Sequence, residues 1–111
     1  MVEEISVTEL KAILDARTGD GAESPVVLDV REPWELAIAR LAGTLDIPMN
    51  EIPDRLGDIP SNGRVIVMCR SGARSLRVAN YLQQNGYAEV ANLTGGILAW
   101  SAEIDSDLPQ Y

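Results

Sequence analysis

Apolar residues recur along the chain in two rhythms, one helical and one of short unbroken runs. Leu10, Ile13 and Leu14 share a helical face, and Ser6-Val7-Thr8-Glu9 ahead of them has capping-box spacing. This predicts a first helix fading at the polar stretch Thr18-Gly19-Asp20-Gly21. After Pro25, the run Val26-Val27-Leu28-Asp29-Val30 is too short and too β-branched for a helix and reads as a buried strand. Pro33 suits the first turn of a short helix. Thr44–Ile47 is expected as a short strand stopped by Pro48, and Asn50 as the cap of a short helix carrying Ile52 and Leu56 and ended by Gly57. Ser61-Asn62-Gly63 is a turn before another buried strand, Val65–Met68.

From Gly72 to Asn85, Leu76, Ala79 and Leu82 repeat at helical spacing, and Gly86 stands where a C′ glycine belongs. Val90–Leu93 reads as a further strand, and Gly95-Gly96 leads into a last helix, Ile97–Ser101. Strands alternating with helices predict an α/β layer structure with a mostly parallel sheet. Ligands in such sheets bind at the loops following the strands' carboxyl ends. The 111 residues are expected to form one domain, with a core over about 5–101 and a loose acidic tail over 102–111.

Composition narrows the chemistry. Seventeen acidic against nine basic residues give a formal charge of −8, which argues against general nucleic-acid or anionic-membrane binding. There is no histidine, so no imidazole base for a Ser-His or Cys-His pair, and the commonest metal ligand is missing. The one cysteine, Cys69, forbids an internal disulfide, a C-x-x-C pair and a four-cysteine zinc site. No metal or other cofactor is implied. A reducing compartment, the cytoplasm, is the expected location. The acidic start Met1-Val2-Glu3-Glu4 lacks signal-peptide character, no apolar run is long enough to span a membrane, and nothing in the pattern demands more than a monomer.

Positive charge is concentrated around that cysteine. Arg70, Arg74 and Arg77 fall in a stretch without an acid. Taken alone, Cys69 at a strand end fits an inert core thiol. Its neighbours argue otherwise. Arg70 and Arg74 are costly to place there for packing, Gly72 permits a path that turns N–H groups inward, and a helix start adds unpaired donors and its positive dipole end. Together they form a cup for a small anion with a thiol at its base. They also favour the thiolate, of which a free thiol has only about 3% at pH 7.

The segment Cys69-Arg70-Ser71-Gly72-Ala73-Arg74-Ser75 resembles the active-site loop of the rhodanese family of sulfurtransferases. Asp29-Val30-Arg31-Glu32-Pro33-Trp34-Glu35 is similar to a second family marker, and Gly95-Gly96-Ile97-Leu98-Ala99-Trp100 to its carboxyl-terminal signature. The likeness spans about Ile5 to Trp100 and implies the three-layer rhodanese fold. It also implies a persulfide mechanism. Cys69 would take a sulfur from thiosulfate or another anionic sulfane donor and pass it to cyanide, a small thiol or a protein thiol. Backbone amides over Arg70, Ser71, Gly72, Ala73, Arg74 and Ser75 would hold the persulfide, and Arg70 and Arg74 would orient the donor. Many members carry Gly-His-Ile-Pro-Gly-Ala where this chain has Ala39-Arg40-Leu41-Ala42-Gly43-Thr44, keeping only the glycine and an aliphatic residue.

Two other functional classes are compatible with a loop cysteine. A phosphatase or arsenate reductase of the related fold uses Cys-x5-Arg, whereas here four residues separate Cys69 from Arg74 and Ser75 holds the next position. A non-enzymatic binding or regulatory module usually loses the cysteine or the arginines, and this chain keeps both; a sulfur relay to a protein partner would keep them as a small-molecule enzyme does, and the sequence leaves those two open. Asp29 beside Arg31 reads as a structural ion pair before a catalytic acid. Trp34 and Trp100 read as core aromatics, and Gly95-Gly96 as a close approach to the loop backbone. Gly19 and Gly21 lack the Lys-Ser/Thr of a phosphate loop and read as a turn.

Overall fold

The computed structural model describes residues 2–16 and 25–111; the predicted end of the first helix at Thr18 to Gly21, and the turn at Gly19 and Gly21, lie outside the described residues. The capping box forms as the spacing predicts. Ser6 N donates to Glu9 Oε1 and Glu9 N to Ser6 Oγ, both at 3.1 Å, at the start of helix α1, Val7–Ala16. The chain then builds β2 (Val26–Asp29), α2 (Pro33–Ile38), β3 (Leu45–Asp46), β4 (Val65–Met68), α3 (Ala73–Gln84), β5 (Val90–Leu93) and α4 (Gly96–Glu103). Helix α3 closes at Gly86 as expected, with Tyr87 N donating back to Leu82 O at 3.1 Å.

Two elements depart from the expected pattern. A strand β1, Glu3–Ile5, pairs in parallel with Ala91–Leu93; it is three residues long and only Ile5 is buried, too little for an alternation to register. The Asn50 helix is instead two 3₁₀ segments, Met49–Glu51 and Pro53–Asp58. Pro53 brings no N–H to continue an α-helical ladder, and Arg55 leaves helical geometry at φ −118°, ψ 22°.

Among the described residues, five parallel strands form one sheet in the order β1-β5-β4-β2-β3. The central strands β2, β4 and β5 are buried on both faces, so their alternation sorts side chains between two cores. Leu28, Val65, Val67 and Val90 pack with Val78 and Leu82 of α3 on one face. Val27, Ile66, Met68, Ala91 and Leu93 pack with Leu10 of α1 and Ile97 of α4 on the other. The result is the α/β layering with a parallel sheet that the pattern predicted, in the three-layer form that the family likeness implied.

Strand order also locates the site. From β2 the chain moves outward to β3, and from β4 it moves the opposite way to β5. The connections therefore diverge between the carboxyl ends of the adjacent strands β2 and β4, the place where open parallel sheets leave a crevice. Asp29 to Arg31 leave one strand there, and Cys69 leaves the other.

Candidate active site

Cys69 follows β4 directly and is 1% exposed. Gly72, at φ +111°, turns the chain into α3 and brings its amide to 3.1 Å from Cys69 Sγ; the Ser75 amide donates to the same sulfur at 3.4 Å. The amino end of α3 thus points its free donors at the thiol. The loop's carbonyls face the other way. Cys69 O accepts from Ile97 N at 3.0 Å and Arg70 O from Leu98 N at 3.1 Å, so the first turn of α4 fixes the peptide planes that carry the Arg70 and Ser71 N–H groups.

That interlock depends on Gly96. A Cβ there would sit 2.5 Å from both Cys69 O and Arg70 O. The close approach expected of Gly95-Gly96 is made at this residue.

Burial pushes the Cys69 thiol up, but Ser75, Gly72 and Ser71 outweigh it and leave the group below the ordinary thiol value. The Ser75 hydroxyl has one proton, and Asn92 Oδ1 lies 2.5 Å from it. Asn92 Nδ2 donates to Glu4 Oε1 at 3.0 Å and Gly72 O at 3.3 Å, which fixes the amide with its oxygen toward Ser75. In the resting site the hydroxyl proton therefore goes to Asn92, and the Gly72 and Ser75 amides are the donors set on the sulfur. Asn92 was absent from the sequence-predicted site; a buried polar residue within the apolar run of β5 was its signal.

The two loop arginines are both engaged. Arg74 donates through Nη1 and Nη2 to Glu35 Oε2 and Oε1, each at 2.7 Å. The Arg74 guanidinium holds Glu35 down at about pKa 2, and Glu35 in turn raises Arg74. Glu35 Oε2 also accepts from Glu32 N at 2.8 Å at the start of α2. Arg70 Nε donates to the backbone oxygen of Tyr111 at 2.7 Å, Arg70 Nη2 donates to the same atom, and its guanidinium lies 5.2 Å from the Tyr111 ring centroid. Ser71 and Ala73 are exposed at the rim.

Behind these residues runs a buried ionic layer. Arg31, fully buried, donates Nε and Nη2 to the Asp29 carboxylate at 2.8–3.1 Å, and Nη2 also to Ala39 O at 2.8 Å. The structural reading of Asp29 holds. Tyr111 Oη accepts from Arg31 Nη1 and donates to Glu35 Oε1, both at 2.9 Å. The 102–111 stretch is consequently not loose. Ser101 Oγ donates to Leu108 O at 2.5 Å, and Leu108 and Tyr111 pack on the α1–α4 core, apolar anchors that the acidic composition concealed. Trp34 is not core: it is 61% exposed, with the Tyr111 ring set edge-on 6.1 Å away. Arg40, in the family's histidine position, pairs with Asp46 at 2.5 Å on the surface.

The fold, the cysteine loop and the α4 interlock define a class, and comparison with known proteins agrees. The Rhodanese-like domain model matches residues 6–103, and the chain belongs to that family. A sulfurtransferase of Allochromatium vinosum is 43% identical over 88 residues, covering 79% of this chain and 81% of that one. The putative sulfurtransferase YtwF of Bacillus subtilis is 33% identical, covering 92% and 93%. The crystal structure of a rhodanese-like domain protein from Staphylococcus aureus superposes with a TM-score of 0.79 at 31% identity, covering 99% of each chain. These relatives support sulfur transfer as the general chemistry of the site. No helix among the described residues is long and apolar enough to cross a membrane.

Proposed function

We propose that the protein is a thiosulfate sulfurtransferase that works through a persulfide on Cys69. The Cys69 thiolate attacks the outer sulfur of thiosulfate, or of a similar anionic sulfane donor. A bond forms between Sγ and that sulfur, the donor's S–S bond breaks, and its electron pair leaves with sulfite. The enzyme then carries Cys69–S–S⁻. Cyanide attacks the outer sulfur and departs as thiocyanate, regenerating the Cys69 thiolate; a small or protein thiol takes the sulfur as its own persulfide. No imidazole, metal or other cofactor enters either step. A reducing compartment such as the cytoplasm keeps the lone thiol available.

The observation that carries this reading is the convergence of the Gly72 and Ser75 amides on Cys69 Sγ in a chain without histidine. Donors fixed before the reaction stabilise an anionic sulfur without reorganising during it. The same loop disfavours phosphoryl chemistry. A Cys-x5-Arg enzyme needs its arginine on the substrate oxygens, whereas Arg74 comes one residue early and spends both terminal nitrogens on Glu35.

Intact mass measured after incubation with thiosulfate, followed by thiocyanate release on adding cyanide, tests the proposal. The expected result is one added sulfur, discharged by cyanide and absent from Cys69→Ser. No added sulfur would remove thiosulfate as donor, and equal turnover by Cys69→Ser would remove Cys69 as nucleophile. Cys69-dependent hydrolysis of an aryl phosphate would favour the phosphatase class instead.

A further inference from the structure

We propose that Tyr111 is a positioning residue that sets donor specificity: it occupies Arg70 in the resting site, so an anionic donor gains that guanidinium only by displacing it. This inference rests on the sulfur-transfer reading of Cys69. Arg70 is the residue next to the nucleophile, and its Nε and Nη2 both turn to one acceptor, the Tyr111 backbone oxygen. The ring adds a second hold, with the Arg70 guanidinium 5.2 Å and the Arg31 guanidinium 5.8 Å from its centroid. A guanidinium has no acceptor capacity and a fixed fork of donors, so an oxygen seated in the fork excludes a donor's oxygens from those N–H groups.

Tyr111 is itself held in place by contacts that do not involve Arg70. Its hydroxyl accepts from Arg31 and donates to Glu35, using both of its hydrogen-bonding capacities on buried charged partners. The chain leading to it is tied down where Ser101 Oγ meets Leu108 O, and Leu108 packs on the core. The backbone oxygen is therefore delivered to Arg70 by the side chain and the tether. Replacing the side chain releases the oxygen even though every residue has one. A neutral reactant that needs only the thiolate meets no such competition. An anion that would use Arg70 does.

Alkylation of Cys69 by iodoacetate and by iodoacetamide separates these cases, because the two reagents share a reactive carbon and differ in charge. In Tyr111→Ala the iodoacetate rate should rise about tenfold, the size of one charge-assisted hydrogen bond regained, while the iodoacetamide rate stays within about twofold. Tyr111→Phe keeps the ring on both guanidiniums but loses the hydroxyl's bonds to Arg31 and Glu35, and should shift the ratio in the same direction by less. Ser101→Ala loosens the tether without touching the site and should shift the ratio in the same direction by less. Adding Arg70→Gln to Tyr111→Ala should abolish the gain. With thiosulfate, Tyr111→Ala should lower KM with little change in kcat.

An unchanged rate ratio in both Tyr111→Ala and Ser101→Ala would overturn the proposal, as would equal acceleration of the two reagents, which would make Tyr111 a simple cover. A gain that survives loss of Arg70 would overturn it too. A rate ratio that shifts as expected in a protein that never accepts sulfur from thiosulfate would keep the Arg70 assignment while refuting the donor.

Discussion

At Cys69 two effects oppose each other: burial penalises the thiolate, and Ser75, through its side chain and its amide, favours it together with the amides of Gly72 and Ser71. These donors prevail, so the pH midpoint for iodoacetamide alkylation should lie below the ordinary thiol value. A midpoint at or above that value would show that burial dominates and would remove the activation argument. The peptide planes on either side of Arg70, which carry the Arg70 and Ser71 amides and lead into the rest of the loop, are held by α4, and Gly96 is the residue that permits this. Gly96→Ala places a methyl 2.5 Å from two backbone oxygens at φ +57°, so loop or helix must move. The expected cost is about 2–4 kcal/mol from overpacking and left-handed strain, read as a lower denaturant midpoint, together with slower alkylation. Gly57→Ala is the matched control. Its Cβ would meet nothing within 4 Å, and its effect should stay within about 0.5 kcal/mol. A loss in Gly96→Ala no larger than in Gly57→Ala would contradict the interlock.

The short helix α2 shows what element-level packing adds. It is six residues long and exposes Trp34 and Ile38, so its apolar contacts alone do not explain its placement. Glu35 fastens it instead, bonding Arg74 of α3, the Tyr111 hydroxyl and the Glu32 amide. Arg74 is the leading cause of the depressed Glu35 value, about 2 against 4.5 when free. A carboxyl depressed by folding contributes stability that is fully present above its unfolded value and is lost as pH falls through its folded one. Glu35 should therefore contribute on the order of 3 kcal/mol at neutral pH, fading between about pH 4.5 and 2. Chemical denaturation of Glu35→Gln should show a deficit of that order at pH 7 that closes toward pH 2. A deficit independent of pH would mean that the variant acts through packing and not through the charge. The marker segment containing Glu35 was recognisable in the sequence, and so was Arg74 in the cysteine loop, but their pairing across 39 residues was not. Local signals were far more legible. The Ser6–Glu9 box and the Gly86 cap formed as their spacing demanded, whereas β1 was too short for periodicity and the Asn50 helix yielded to Pro53.

Charge at the scale of the whole molecule is where sequence and structure differ most instructively. The cysteine loop and the parallel sheet could be inferred because they rest on contiguous residues and on strands alternating with helices, and the three layers followed from the family likeness. The compensation of the arginines could not, since Glu35 and Tyr111 reach them across 39 and 41 residues, and in sequence the loop reads as bare positive charge. In the fold Arg74 is paired with Glu35 and Arg31 with Asp29, so the local cationic excess is smaller than the count of arginines suggests. The formal −8 then governs the field that an approaching anion meets beyond the loop. Exposed charges are screened over roughly 10 Å at 0.1 M salt, and salt should relieve this long-range repulsion before it weakens contacts inside the cup. The rate of Cys69 alkylation by iodoacetate should accordingly rise as ionic strength increases from about 0.01 to 0.15 M, while the iodoacetamide rate stays flat. Stopped reactions quantified by intact mass at fixed pH make the comparison. A falling iodoacetate rate would show that the arginines dominate at long range despite their partners, and the molecule would then attract its anionic donor by steering. A rising rate would instead assign donor capture to short-range contacts at Arg70 and the loop amides.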